Sequence, residues 1–260
     1  MPMTGRVALI TGGGRGIGKG VALCLARNGA DIAINYANDR ASAEATQREV
    51  EALGRQARAY CCDISKGYEP VKAMVDQAAA DFGRLDILVN NAGSLASGLT
   101  INEGDVDSVR AVIDLNYWGA FYCTKAAIPH LRQQPRGDLI FVSAIIVERR
   151  SANRLSYAAS KLAMEGLASV AAKEERRHGI RSNVVRPGLV ATDMAGEVGR
   201  RAGINDVSAL SGLAPYGRLC RPDDVGNAVA FLCSDAGEYI NGAVIQVDGG
   251  DNDWWPRPKT

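Results

Sequence analysis

The sequence predicts an α/β protein built on one parallel sheet of seven strands, with helices packed on both faces. Three observations carry that expectation. Short β-branched runs alternate with longer amphipathic stretches along the chain. Two of the runs, Ile87-Leu88-Val89 and Leu139-Ile140-Phe141-Val142, are apolar without interruption, as strands covered on both faces require. A glycine-rich turn follows the first run and opens directly into a helical pattern. Parallel neighbours need long right-handed crossovers, and the intervening helices supply them.

The first strand, Val7–Ile10, stops at Gly12-Gly13-Gly14, and a helix is expected over 18–27. A strand over 32–36 is followed by a helix over 41–53, and a strand over 57–62 by a helix over 71–80. A strand over 86–90 leads to one long helix over 109–131, and a strand over 139–143 to a helix over 157–176. A strand over 180–185, a helix over 223–233 and a last strand at Val244–Val247 follow. The stretch 188–215 is Gly-rich, of mixed polarity and weakly periodic, which suits a lid over a site better than a second domain. The 260 residues are therefore expected to form a single domain.

Lys plus Arg, 30, against Asp plus Glu, 29, leaves a net charge of +1, with no excess of either sign to hold nucleic acid or an anionic membrane. Hydrophobic residues at 47% with 23% charged suit a packed core. No apolar run approaches the ~18 residues of a membrane span, and Val7–Ile10 is too short for a signal-peptide core, so a cytoplasmic location is expected. Six scattered cysteines without a C-x-x-C pair, beside only two histidines, read as reduced and mostly core residues, and no metal site is expected.

After the first strand comes Thr11-Gly12-Gly13-Gly14-Arg15-Gly16-Ile17-Gly18. Glycines there permit a tight turn, bring backbone N–H groups against a pyrophosphate and seat the helix close to its strand, while the helix N-terminus adds partial positive charge. In the first βαβ unit this points to dinucleotide binding on a Rossmann-type sheet. The spacing TGxxxGxG resembles the short-chain dehydrogenase/reductase family, and the resemblance extends over about residues 5–250.

The resemblance implies a nicotinamide cofactor and names its contacts. Gly12, Arg15, Gly16, Ile17 and Gly18 belong to the phosphate loop. Tyr36 stands where NAD-type members carry an aspartate. Without a carboxylate there, and with Arg15 placed to reach a 2′-phosphate and Asn38 and Arg40 to assist, NADP(H) is expected to be favoured over NAD(H); Asp39 argues mildly the other way. Asp63 and Ile64 resemble the adenine-contacting pair. Asn90-Asn91-Ala92-Gly93 resembles the family's NNAG, giving Asn90, Ala92 and Gly93 as cofactor contacts. Pro187-Gly188 and Thr192 resemble the segment that faces the nicotinamide carboxamide.

Chemistry in this family rests on Tyr-x-x-x-Lys, and the chain has two such pairs, Tyr157/Lys161 and Tyr68/Lys72. Pro70 suits a first helical position, which would put Tyr68 before the helix and off the face bearing Lys72. Tyr157 instead opens a continuous helical pattern, where an i,i+4 spacing sets phenol and ammonium on one face. A phenol needs such a cation to relay protons near neutrality. The resemblance makes Tyr157 the acid/base, lets Lys161 also touch the nicotinamide ribose, and gives Asn116 as the lysine's support. It also implies a serine thirteen residues before the tyrosine. Ala144 holds that position and Ser143 lies one residue earlier. Either a one-residue loop insertion makes Ser143 the catalytic hydroxyl, the reading favoured here, or the hydroxyl is lost.

The function implied is hydride transfer between NADP(H) and a small-molecule carbonyl or secondary alcohol. A 3-oxoacyl thioester is one substrate class, with sugars, polyols and cyclic alcohols left open. The rival is a dinucleotide-binding member weakened by loss of the serine. The resemblance also implies a homotetramer or homodimer formed through the long helices.

Overall fold

The structure is a computed structural model that describes residues 3–95, 100–201, 203–204, 210–212 and 214–250. Its strands are β1 (Val7–Ile10), β2 (Asp31–Tyr36), β3 (Ala57–Cys61), β4 (Ile87–Asn90), β5 (Gly137–Val142), β6 (Ile180–Pro187) and β7 (Val244–Val247). They form one parallel sheet in the order β3-β2-β1-β4-β5-β6-β7. The chain thus winds outward twice from the centre, and the direction reverses between β1 and β4.

Alternate side chains of each strand enter opposite layers, as the pleat dictates. On β5, Leu139 and Phe141 join the core under α3 (Tyr68–Phe82), α5 (Ala120–Leu131) and α7 (Leu155–Glu174). Ile140 and Val142 join the opposite core, under α1 (Gly16–Arg27) and α9 (Pro222–Cys233). Further helices are α2 (Arg40–Ala52), α4 (Val106–Ile113), α6 (Ile146–Arg149) and α8 (Asp193–Arg201). Arg181, on β6, is buried against Asp138 of β5 at 2.5 Å, with Arg6 also on that carboxylate at 2.7 Å.

Two expectations are corrected. The single helix expected over 109–131 is α4 and α5 joined through a π-helical segment, Asp114–Gly119. It begins earlier, at Val106, because the Asp105 carboxylate accepts the Ser108 N–H at 2.8 Å and caps it. Tyr68 is not outside its helix: Gly67, at φ +115°, turns the chain so that α3 starts at Tyr68. Pro70 is tolerated because first-turn N–H groups have no intrahelical acceptor. The pair still stays out of the cleft described below, with Tyr68 packed on Tyr122 and the Lys72 ammonium bound to Asp76.

The stretch expected as a lid is described only in part. It contains α8, and Val190 bridges to Cys220. Trp254 and Trp255 lie outside the described residues. No helix among the described residues is long and apolar enough to cross a membrane.

Candidate active site

The C-terminal ends of the strands open on a cleft of about 360 Å³ at the point where strand order reverses, the place where sheets of this winding take ligands. Its first wall is the turn after β1. Arg15 is the N-cap of α1 but makes no side-chain capping bond, and α1 has no acidic residue in its first turn. The N–H groups of that turn therefore remain available to an anion in the cleft. Gly12 and Gly16 have φ of +62° and +53°, a region that favours glycine, and both line the cleft with Arg15 and Ile17.

Gly18 does not line the cleft; it sits under the loop. A Cβ there would collide with the Gly12 carbonyl and lie 2.7 Å from Asn91 Nδ2. The loop is pinned by Asn91, whose amide donates to the Thr11 and Gly12 carbonyls at 2.9 and 3.2 Å. Asn90, expected at the cofactor, faces away: as the last residue of β4 it donates to Thr124 Oγ1 at 3.1 Å and is absent from the cleft wall. Strand alternation explains the exchange, because neighbours on one strand face opposite sides.

The middle of the cleft brings Ala92 and Gly93 against Asp63 and Ile64. Asp63 Oδ1 accepts from the Ser65 N–H and hydroxyl at 3.0 and 2.7 Å, which fixes the carboxylate. Tyr36 and Asn38 line the far end. Asp39 lines it too, but its carboxylate is turned to cap α2 at the Ser42 N–H, and those Ser42 bonds hold it below the usual carboxylate range. Thr192 and Asp193 form the opposite rim, where the exposed Asp193 carboxylate lies 3.3 Å from Arg15 Nη1. Pro187 and Gly188 are not on the cleft wall. Their backbones bond to Ile145 and Val247, and Gly188 is held close to Asp248.

At the other end stand Tyr157 and Lys161, one turn apart on α7. Lys161 is buried; its Nζ donates to the Val142 carbonyl at 2.7 Å and lies 5.9 Å from the Tyr157 ring centroid. Burial pushes the Tyr157 phenol up to about 12, opposed by the charge of Arg154. Burial pulls Lys161 down to about 8, opposed by Glu165. At neutral pH the pair therefore stands as phenol and ammonium, a proton donor beside a cation.

Asn116 comes from the π-helical segment, a wide turn that recurs at functional positions. Its Oδ1 accepts the Ser94 N–H at 2.9 Å, and its Nδ2 donates to the Ser94 carbonyl at 3.2 Å and to Ser160 Oγ at 3.0 Å. Gly93 separates it from Lys161: a Cβ on Gly93 would lie 3.0 Å from Asn116 Oδ1 and 3.4 Å from Lys161 Nζ.

Ser143 lines the cleft, yet its hydroxyl donates to Glu165 Oε1 at 2.5 Å. A hydroxyl has one proton, so Ser143 cannot donate to a substrate oxygen while Glu165 holds it. The strand supplies the reason: Ser143 follows Leu139 and Phe141 onto the face covered by α7. Sequence reasoning missed Glu165 and Arg186, whose guanidinium spans both Glu165 oxygens at 2.7 and 2.6 Å. Glu165 lies four residues beyond Lys161, a spacing visible in the sequence; its partner on β6 is not.

These features can be set beside known proteins. The family described as "Enoyl-(Acyl carrier protein) reductase" matches residues 12–252 of this chain. The chain belongs to the short-chain dehydrogenase/reductase family. The 3-oxoacyl-[acyl-carrier-protein] reductase FabG of Staphylococcus aureus is 36% identical over 252 residues, covering 96% of this chain and 99% of that relative. The crystal structure of NAD+-bound xylitol dehydrogenase superposes with a TM-score of 0.89 at 29% identity, covering 96% of this chain and 100% of that one. A short-chain dehydrogenase from Burkholderia cenocepacia in complex with NADP gives 0.85 at 34% identity, covering 97% and 100%. As a short-chain dehydrogenase/reductase, the chain is an oxidoreductase acting on carbonyl or CH–OH groups.

Proposed function

We propose that the chain is an NADP(H)-dependent reductase of a small carbonyl substrate, working in reverse as a secondary-alcohol dehydrogenase, with Tyr157 as proton donor and Lys161 as its cation. The observation that carries this reading is the placement of both at one end of a cleft whose other end is an uncapped helix N-terminus. The open N–H groups, the small residues at Ala92 and Gly93 and the length of the cleft fit a dinucleotide. Bound there, the cofactor would supply the hydride. Tyr157, neutral in its half-buried setting, gives its proton to the carbonyl oxygen. Lys161, held on the Val142 carbonyl, stabilises the negative charge that develops on the phenol oxygen. Asn116 fixes the backbone of Ser94 and, through Ser160, the first turn of α7.

The names of similar structures include NAD+ and NADP, so the preference is argued from this chain's residues. Tyr36 brings no carboxylate to the end of β2, and Asp39 is occupied at the α2 N-terminus. Arg15 is the cation at that rim, and a 2′-phosphate would displace it from the exposed Asp193. Fluorescence titration is expected to show NADPH bound at least tenfold more tightly than NADH, about 1.4 kcal/mol. Arg15→Ala should erase most of that difference; equal affinities in the parent protein would overturn the assignment.

For the substrate, the FabG relative supports a 3-oxoacyl thioester and the xylitol dehydrogenase a polyol. NADPH oxidation over an acetoacetyl thioester and cyclic ketones, with NADP+ reduction over polyols, separates them. Docking a carrier protein would need a basic face; Arg181 is buried and cannot contribute to one, while Arg176 and Arg177 precede β6 at the end of the sheet opposite the cleft. We assign Ser143 to the framework, leaving Tyr157 to serve the carbonyl oxygen. Ser143→Ala is then expected to keep kcat within about tenfold, whereas a lost oxyanion donor costs about 10²- to 10³-fold. If Ala144→Ser raises the rate, the hydroxyl has been lost from its usual register.

Segment 188–215 is proposed as the lid, since Thr192 and Asp193 already meet the phosphate loop. A homodimer or homotetramer is supported by the outward face of α7, where Leu155, Leu162 and Val170 are 48%, 40% and 51% exposed at helical spacing. Light scattering of the purified protein should read two or four chains.

A further inference from the structure

Lys161 and Glu165 end on consecutive residues at the end of β5: Val142, its last residue, and Ser143, just beyond it. The Lys161 ammonium donates to the Val142 carbonyl at 2.7 Å, and the Glu165 carboxylate accepts the Ser143 hydroxyl at 2.5 Å. Both side chains leave the same face of α7, one turn apart. Arg186 spans the Glu165 carboxylate from β6 and reaches Glu148 of α6 at 2.5 Å with its remaining amino group. The Glu165 and Arg186 side chains are only 11% and 14% exposed. In such a setting a charge acts on its neighbour with little screening by solvent.

We propose that Glu165 is a positioning residue of the proton relay: it ties the end of β5 to α7 and supplies the negative charge that keeps Lys161 an ammonium. This rests on the reading of Tyr157 and Lys161 as the relay. A buried lysine loses its proton readily unless an opposite charge or an acceptor holds it. The Val142 carbonyl is the acceptor, and Glu165 the opposite charge. Burial works against the ammonium and Glu165 works for it.

The other groups around Lys161 do not provide that charge. On α7, Tyr157 is neutral at working pH, and Arg154, at the N-cap, is a cation. The π-helical segment presents the neutral amide of Asn116 beside Gly93; Asp114 and Tyr117 share that segment. On α4, Asp107 and Arg110 pair with each other at the surface. From the end of β5 comes the Val142 carbonyl, and from the residue just after it the Ser143 hydroxyl. Arg186 of β6 and Glu148 of α6 reach Lys161 only through Glu165. Arg186 partly neutralises Glu165, so its removal should strengthen the effect of Glu165 on Lys161.

The prediction therefore has two signs. Carbonyl reduction needs the ammonium, so its rate should fall as pH rises through the Lys161 titration. Glu165→Gln, which removes the charge and keeps the shape, should move that alkaline limb of kcat down by about one pH unit. Glu165→Asp, which keeps the charge, should leave the limb in place even if thermal stability falls. Arg186→Gln should move it up. The same midpoint is read without turnover from the ε-carbon of Lys161 in lysine-labelled protein, identified by its loss in Lys161→Met.

A downward midpoint in Glu165→Gln, unmoved in Glu165→Asp, supports the proposal. Equal pH-independent losses of rate in both, with the Lys161 midpoint unchanged, overturn it and leave Glu165 purely structural. Should Glu165→Gln fail to fold, an unmoved midpoint in Arg186→Gln overturns it equally. If the parent protein reduces no carbonyl, the functional reading fails on that assay, while the carbon titration still decides for or against Glu165.

Discussion

Tyr157→Phe is expected to lower kcat for NADPH-dependent ketone reduction by about 10³-fold while leaving NADPH affinity within a factor of about two, the size expected for loss of a positioned general acid. The change deletes one oxygen and keeps the ring, so the packing of the first turn of α7 survives. The phosphate loop, which holds the other end of the cleft, lies apart from it. Stopped-flow absorbance gives the rate and fluorescence titration the affinity. A variant that turns over within tenfold of the parent would take the proton-donor role away from Tyr157. An inactive Tyr68→Phe would be unexpected, because Tyr68 packs on Tyr122 outside the cleft.

Lys161→Met is expected to damage both quantities, with kcat down by about 10²-fold or more and NADPH affinity also reduced. The first loss follows from the phenol: burial already pushes Tyr157 up to about 12, and without the cation the charge developing on its oxygen has no partner. The second follows from position, since Nζ stands over Gly93 on the cleft wall, where a ribose hydroxyl would meet it. Burial depresses Lys161 to about 8, so the folded protein binds fewer protons there than the unfolded chain. The Lys161 contribution to stability should accordingly rise as pH increases from about 8 towards the ordinary lysine range near 10.4, while buried thiols such as Cys123 and Cys233, pushed up by burial, work the opposite way; it is read as the difference between the parent and Lys161→Met. In Lys161→Met that dependence should vanish and the fold should be no weaker at pH 7, as urea titration would show. Loss of activity together with loss of stability would mean that the lysine is structural.

The architecture was readable because periodicity is local. Strands such as Val7–Ile10 and Leu139 to Val142 announce a two-sided sheet by unbroken apolarity, and each strand-helix alternation forces a parallel crossover. Gly12, Gly16 and Gly18 were readable for a related reason: a positive φ or a missing Cβ leaves a mark on the residue itself. The Tyr157/Lys161 pair needs only helical spacing. Its rival at Tyr68 was misplaced because Gly67 decides where that helix starts, and a proline within the first turn is compatible with more than one start.

What the sequence by itself determined is therefore the sheet, its phosphate loop and the helix that carries phenol and ammonium together. Only the tertiary structure decided where the polar groups of the strand ends point. Asn90 and Asn91 are alike in composition, yet one bonds Thr124 behind the sheet and the other pins the phosphate loop. The π-helical turn that presents Asn116 depends on how α4 and α5 pack against their neighbours, which a continuous helical pattern does not reveal. Counting back from Tyr157 lands on Ala144 and reaches Ser143 only by allowing a one-residue insertion; in the fold the Ser143 hydroxyl donates to Glu165, held in turn by Arg186. Those three residues come from the end of β5, from α7 and from β6, separate segments of the chain. A hydrogen bond is settled by which donors and acceptors meet in space, and spacing along one segment carries no information about partners on another.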